Sequence, residues 1–279
     1  MERKIYNEVK KVNILKLYQQ NKTYLRAYLK NKNLKDILSD IQKEKLTNDL
    51  VLRTDIGYPL RRKNTNEKLE RKFVDSNKRI APEHAQKFYL YSHSKENKNK
   101  SDQPFGYIFT YELPFFKNRS SGAIDLVGYN DDKNIINLIE MKNCKMGPKE
   151  SSKESLIRAI LEIETYSKFI NEIIKNERKN GELGELFEEI RRTLKKDFDL
   201  EISKEKLLKC KIQKNLLIPR TLYEYSKNEN KIEKEILYEI PNDINIYSIN
   251  LKDTNFNVSQ KIGDVAKRND IIFDIKLIK

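Results

Sequence analysis

Three charged residues, Asp125, Glu140 and Lys142, lie in or directly beside two short apolar segments, Ala123–Tyr129 and Ile135–Met141. A carboxylate or an ammonium is almost never left inside a sheet without a partner, because removing the charge from water is too costly. Two carboxylates a few ångströms apart also repel each other unless a cation or a proton neutralises them. These residue types therefore indicate a site that holds positive charge between the two acids.

The elements that must position these residues are two strands of a β-hairpin. A polar tetrapeptide separates the two apolar segments, which is typical of a hairpin turn. Both segments are apolar on both faces, so we expect central strands that are covered on two sides. If Asn130 pairs with Ile135, Asp125 lies directly opposite Glu140, and the two-residue period of a strand places Lys142 on the same face as Glu140.

Oxygen ligands that leave part of the coordination shell open suit Mg²⁺ or Mn²⁺. Such an ion lowers the pKa of a bound water, orients it and stabilises charge on a phosphate group. Lys142 is placed either to position or deprotonate the water, or to stabilise the phosphate. The site therefore predicts metal-dependent hydrolysis of phosphodiesters. The competing interpretation is an edge hairpin in which Glu140 and Lys142 form a solvated cross-strand pair.

The composition supports a polyanionic partner. The chain has 279 residues, of which 38% are hydrophobic and 35% charged, and this balance is typical of a soluble globular protein. Lysine and arginine number 56 against 42 acidic residues, a formal charge of +14 that favours nucleic acid. Positions 61–100 hold 12 basic and 5 acidic side chains, so this window carries half of the excess. A solvated, lysine-rich surface is the alternative explanation for that window.

Several protein classes are disfavoured. No apolar run approaches the roughly 20 residues that a membrane span needs. The charged N-terminal sequence lacks the apolar core of a signal peptide. Cys144 and Cys210 are the only cysteines, too few for a disulfide framework or a zinc cluster. We therefore expect a cytoplasmic protein that does not associate with membranes.

Hydrophobic periodicity predicts a mixed α/β arrangement. We expect two regions, a helical N-terminal region over residues 1–60 and a second domain over residues 61–279. Asn33 is the predicted N-cap of a helix in the first region, and a capping box at Ser151–Glu154 starts a long helix that ends near Arg178. The other predicted helices are Asn66–Ser76 and Leu186–Phe198, and the other predicted strands are Tyr107–Phe116, Ile212–Pro219, Ile244–Leu251 and Asp270–Ile278.

The segments GAID and IEMK, with the strand, strand and helix order around them, resemble the PD-(D/E)XK nuclease superfamily. The resemblance implies a restriction-endonuclease-like fold, which is a mixed central sheet flanked by helices, here with a helical N-terminal extension. The core of that fold is a helix, three strands, a helix and a further strand, and it would span the chain from about Asn66 to about Ile218. Ile244–Leu251 would be a fifth strand. Ile124 stands where many members have proline.

The same resemblance assigns roles to the residues of the hairpin. Asp125, Glu140 and Lys142 would be the catalytic residues. The two carboxylates would bind the metal ion together with the main-chain carbonyl of Met141. The resemblance thus specifies a Mg²⁺ or Mn²⁺ ion held by Asp125, Glu140 and Met141.

Two further elements of the superfamily have weaker counterparts here. Glu162 and Tyr166 have the spacing of the Gln-x-x-x-Tyr element of RecB-like exonuclease-type members, with glutamate in place of glutamine. Many members also take an acid from the first core helix. Glu70 is slightly preferred for this role, and Glu67 and Glu112 compete with it.

The function that the resemblance implies is that of a Mg²⁺-dependent deoxyribonuclease. DNA is favoured over RNA as substrate, and an endonuclease of the restriction, defence or repair type is favoured. The alternatives are an exonuclease or ribonuclease of the superfamily, and a non-catalytic module on the same fold that binds nucleic acid or a partner protein. No base-reading element is evident, so specificity from a homodimer or from a partner protein stays open.

Overall fold

The computed structural model describes residues 14–20, 22–45, 87, 90–91, 93–95, 104–114, 123–142, 155–180, 183–220, 222–224, 231–251 and 273–279. A six-stranded sheet with the strand order β1-β2-β3-β4-β5-β6 forms its centre. The β3–β4 and β4–β5 pairs are parallel, and the other pairs are antiparallel. The predicted mixed α/β class is confirmed. The strands are β1 Tyr107–Pro114, β2 Ala123–Asn130, β3 Ile135–Met141, β4 Lys211–Pro219, β5 Ile244–Leu251 and β6 Phe273–Leu277.

The β2–β3 hairpin has the register expected from the sequence. Asn130 pairs with Ile135, and the pairing continues residue by residue to Leu126 opposite Ile139. Asn134 adopts a left-handed backbone conformation with φ of 51°, which asparagine tolerates better than most residues. Its side chain accepts a hydrogen bond from the Tyr129 hydroxyl at 2.9 Å. The turn thus fixes the register, which brings Asp125 close to Glu140 on the neighbouring strand.

The helices cover the sheet and one another. A 3₁₀ helix spans Ile14–Gln19, and the α-helices are α1 Lys22–Asn31, α2 Leu34–Lys43, α3 Leu156–Asn180, α4 Glu185–Phe198, α5 Lys204–Leu208 and α6 Lys231–Glu239. Helix α3 is the first of three helices between β3 and β4. It packs on both strands, and it also contacts the 3₁₀ helix, α1 and α2. Between residues 155 and 170 only Arg158 is more than marginally accessible, because α3 lies between the sheet and the N-terminal helices.

Helical residues at positions 87, 90, 91 and 93–95 precede β1. Leu90 and Tyr91 pack in a second apolar cluster together with Leu126, Ile139 and Met141 of the hairpin. The larger cluster contains the apolar residues of α3 and of the N-terminal helices. Both faces of the hairpin are therefore covered, as its sequence predicted, and the edge strands of the sheet are β1 and β6.

Some boundaries differ from the expected ones. Helix α3 begins at Leu156, and the Ser155 hydroxyl accepts a hydrogen bond from the Arg158 N–H at 3.3 Å. Ser155 therefore takes the capping role that the sequence analysis assigned to Ser151–Glu154, which lie outside the described residues. Strand β1 is described over Tyr107–Pro114, and the last two residues of the predicted strand, Phe115 and Phe116, lie outside the described residues. The N-cap at Asn33 is confirmed, since its side chain accepts from the Asp36 N–H at 2.8 Å.

Within the described ranges, no helix is both long and apolar enough to span a bilayer.

Candidate active site

Asp125 lies near the start of β2 and is buried. Its Oδ2 accepts a hydrogen bond from the main-chain N–H of Met141 at 2.7 Å. Its Oδ1 forms an ion pair with the ammonium of Lys87, which is also buried. The carboxylate is therefore held between the end of β3 and the helical residues that precede β1.

Lys142 follows β3 directly and connects two carboxylates. Its Nζ lies 2.9 Å from Oε1 of Glu140 and 2.7 Å from Oε2 of Glu162. The Arg158 Nε donates to the other oxygen of Glu162 at 2.9 Å. Glu140 is 4% exposed and Lys142 is 3% exposed. These values contradict the alternative of a solvated pair on an edge hairpin.

Positive charge is distributed unevenly over the three acids. Glu162 has two cationic partners, and Asp125 has Lys87 and a main-chain N–H. Among the described residues Glu140 shares Lys142, and its carboxyl also lies against that of Glu162, where a proton would join the two. Its Oε2 is buried and accepts no hydrogen bond from a described donor. A buried acceptor left in this state costs about 1–3 kcal/mol, and more when it is charged. Glu140 is therefore the acid that most needs an added cation or a proton.

The electrostatics of the two glutamates follow from this distribution. Burial, together with the negative charge of Asp125, raises the pKa of Glu140 well above its usual value. Burial alone would also raise the pKa of Glu162, but Lys142 and Arg158 hold it below its usual value. Glu162 therefore stays ionised and holds Lys142 by an ion pair, whereas ionising the carboxyl of Glu140 costs free energy.

Tyr166 lies one helical turn beyond Glu162, at the edge of the same cluster. Burial and the charges of Glu140 and Glu162 raise the pKa of Tyr166 well above its usual value. Its ring meets that of Tyr18 edge to face, with the centroids 5.8 Å apart. Burial is also the main cause that raises the pKa of Tyr18 to about 12. Both phenols therefore stay neutral, and the N-terminal 3₁₀ helix closes one side of the cluster.

The residues present are compatible with a divalent cation. Asp125 and Glu140 offer hard carboxylate oxygens, and Oε2 of Glu140 has no other partner in the described part of the chain. No group of three or more histidine, cysteine or acidic side chains among the described residues forms a complete metal cage. A Mg²⁺ ion needs no such cage, because it keeps several waters and binds proteins through one or two carboxylates.

The structure places the predicted site residues as follows. Asp125, Glu140, Lys142, Glu162 and Tyr166 converge where β2 begins, β3 ends and α3 starts. Met141 also lies there, and it is its N–H that contacts Asp125. The predicted metal bond through the Met141 carbonyl remains a prediction.

The side chains of the three candidate upstream acids lie outside the described part of the chain. Glu67 and Glu70, with the predicted helix Asn66–Ser76, lie outside it, and Glu112 lies on β1 without a described side chain. The helical residues directly before β1 contribute Lys87 instead. The sequence analysis counted Lys87 only as part of a basic window. Arg158 was visible as the residue one helical turn before Glu162, a spacing that favours an ion pair.

The buried charge of Glu140 should make the metal-free protein less stable at neutral pH. A carboxyl whose pKa is raised in the folded protein contributes its full stability at pH values below its unfolded pKa of 4.5. That contribution is lost as the pH rises through the folded pKa. Replacing Glu140 with glutamine removes this loss. We therefore expect Glu140→Gln to have the higher free energy of unfolding at pH 7–8, by about 1.4 kcal/mol for each unit by which the pKa is raised.

Urea unfolding in EDTA at several pH values measures this difference, which should shrink toward pH 4–5. Glu201→Gln is the matched control, since the Glu201 side chain is 78% exposed. Its free energy should stay within about 0.5 kcal/mol of wild type at every pH. A Glu140→Gln protein that is less stable than wild type at pH 8 would contradict the assignment of strain to this carboxylate.

No family model, curated protein or solved structure matches the chain.

Proposed function

We propose that the chain is a metal-dependent nuclease that hydrolyses phosphodiester bonds of DNA on a restriction-endonuclease-like fold. The observation that supports the proposal is the buried Oε2 of Glu140, which accepts no hydrogen bond from a described donor although Asp125 and Lys142 lie beside it. Lys87, Lys142 and Arg158 equal the three acids in number, yet they leave this oxygen without a cationic partner of its own. A carboxylate oxygen of this kind beside a second acid is suited to a divalent cation.

The order of elements supports the finer fold assignment. The described order is helical residues, β1, β2, β3, α3, α4, α5 and β4, with β3 and β4 parallel. It agrees with the helix, three strands, helix and strand sequence that the resemblance implies if α4 and α5 are additions between α3 and β4, and if the helical residues before β1 stand for the first helix. The acids and the lysine also lie on the elements that the resemblance assigns to them.

Each residue of the site would have a separate role in the reaction. A Mg²⁺ or Mn²⁺ ion, when bound, would activate a water and stabilise negative charge on the phosphate. Asp125 and Glu140 would hold that ion, and Asp125 would exchange its ion pair with Lys87 for it. Lys142 would present its ammonium to the phosphate or to the attacking water. Glu162 is a positioning residue, because it fixes Lys142 at 2.7 Å.

Net charge supports a nucleic-acid substrate. The excess of 14 positive charges raises the local concentration of a polyanion around the chain. Binding to DNA should accordingly weaken steeply with salt, because each neutralised phosphate releases counterions. DNA is favoured over RNA because of the superfamily that the hairpin resembles.

A cleavage assay tests the proposal. The purified chain is incubated with circular duplex, linear duplex, single-stranded DNA and RNA, each with Mg²⁺, with Mn²⁺ and with EDTA. Cleavage of at least one DNA substrate is expected with the metal ions and none with EDTA. Nicked or linearised circles would identify an endonuclease, and cleavage of linear substrates alone would identify an exonuclease.

Two results would contradict the proposal. Binding of DNA without cleavage under all metal conditions would indicate a non-catalytic nucleic-acid-binding module. Absence of both binding and cleavage at physiological salt would leave the basic charge without a nucleic-acid role.

A further inference from the structure

A second feature of the molecule is a surface groove of about 620 Å³ far from the acids. It lies where the end of α3 meets the start of β4. The charged side chains that line it are Lys175, Arg178, Lys209 and Lys211. Its described lining includes four cations and no carboxylate.

Arg178 is held in a defined orientation in this groove. Its Nε donates to the carbonyl of Leu208 at 2.5 Å, and its Nη2 donates to the carbonyl of Cys210 at 2.6 Å. A guanidinium has five N–H donors, so donors remain for an incoming anion. The three lysines are exposed, and no ion pair joins them to a carboxylate of the described residues. The groove is therefore a preorganised cationic surface.

A second groove shows that a basic lining does not by itself leave cations without carboxylate partners. Arg191, Arg192, Lys195 and Lys196 of α4 line a groove of about 750 Å³. There, Arg191 pairs with Glu188 at 3.0 Å and Lys195 pairs with Glu201 at 2.7 Å. Ion pairs thus offset part of the charge of that groove, whereas the described lining of the groove at Arg178 contains no carboxylate.

The position of the groove relative to the acids follows from the sheet and from α3. Lys211 pairs with Ile135, five residues before Glu140 on β3, which is about 17 Å at the rise of a strand. Arg178 lies sixteen residues after Glu162 on α3, which is about 24 Å at the rise of a helix. A DNA duplex rises 3.4 Å per base pair, so these distances correspond to roughly five to seven base pairs.

We infer that this groove binds the phosphate backbone of the duplex that flanks the cleaved bond. This inference rests on the proposed function, because it concerns the part of the enzyme's DNA substrate that flanks the cleaved bond. The groove contributes affinity and orientation without reading bases, since lysine and arginine contacts to phosphates carry no sequence information. It engages only duplexes that extend at least about five base pairs from the cleaved bond.

The test compares a groove variant with wild type. Lys175, Lys209 and Lys211 are replaced together by glutamine, and binding to a duplex of about 30 bp is measured in EDTA at several salt concentrations. The variant should bind about tenfold more weakly at moderate salt, and the slope of log K against log salt should fall by about 2.7, or about 0.9 for each lost contact. Cleavage at the centre of a duplex of about 8 bp should be unchanged, because the roughly four base pairs on either side of the cut do not reach the groove.

The matched control replaces Lys35, Lys43 and Lys234, three exposed lysines outside the groove, with glutamine. It changes the net charge equally, so its salt slope should stay near that of wild type. If wild type cleaves DNA and the groove variant keeps the wild-type affinity and salt slope, only the groove assignment is overturned. A wild-type protein that neither binds nor cleaves DNA overturns the proposed function as well.

Discussion

Replacing Lys142 with methionine is expected to reduce metal-dependent cleavage by about 10³-fold or more, because one ammonium serves the phosphate or the attacking water. The same change leaves Glu140 and Glu162 buried without their shared cation. Breaking a buried ion pair on one side typically costs about 3–5 kcal/mol, so we also expect a large loss of stability. Turnover of plasmid DNA and urea unfolding measure the two effects separately.

A double variant tests the cause of the loss of stability. Lys142→Met combined with Glu140→Gln removes one cation and one carboxylate, so the free energy of unfolding should recover most of the loss. Cleavage should not recover, because Glu140→Gln also removes a proposed metal ligand. If stability did not recover, the broken ion pair with Glu140 would not be the main cause of the loss.

Replacing Asp125 with asparagine is the second change with a large expected effect. Asparagine keeps an oxygen that can accept the Met141 N–H, but it removes the negative charge that would bind the metal ion and that now pairs with Lys87. Cleavage should fall by about 10²–10³-fold, the size of effect seen when one electrostatic contact to a transition state is lost. Stability should fall as well, because the buried ammonium of Lys87 loses its ion pair with this carboxylate.

Lys87→Met provides the control for this change. The double variant Lys87→Met with Asp125→Asn should regain stability without regaining cleavage. In the single variant Lys87→Met, Asp125 loses the competing ammonium of Lys87, so Mn²⁺ should raise the Tm more than it does in wild type. An equal Mn²⁺ shift in wild type and Lys87→Met would contradict the view that Lys87 and the metal ion share one carboxylate.

The hairpin was predictable because its signals are local. Two apolar runs joined by a polar turn fix the strand pairing, and the two-residue period then fixes the faces of Glu140 and Lys142. Glu162 was placed only through a spacing typical of one group of nucleases. Its contact with Lys142 depends on how α3 crosses the sheet, which is a tertiary property.

Other features depend on long-range contacts that a local pattern does not encode. The ion pair between Lys87 and Asp125 joins residues 38 positions apart. The burial of α3 on nearly all sides comes from the N-terminal helices, for example through Gln42, whose side chain donates to Glu164 at 2.6 Å. The start of α3 at Leu156 rather than at Ser151 reflects a choice between nearby serine caps that the sequence leaves open.

The proposed metal-dependent cleavage is tested most directly by comparing wild type with Glu140→Gln in one assay. Both proteins are incubated at equal concentration with supercoiled plasmid in Mn²⁺, with EDTA controls, after unfolding measurements confirm that both are folded. We expect EDTA-sensitive cleavage by wild type and at least about 10³-fold less by Glu140→Gln, because the variant keeps the shape of the site and loses its metal-binding charge. Equal cleavage by the two proteins would contradict the proposal.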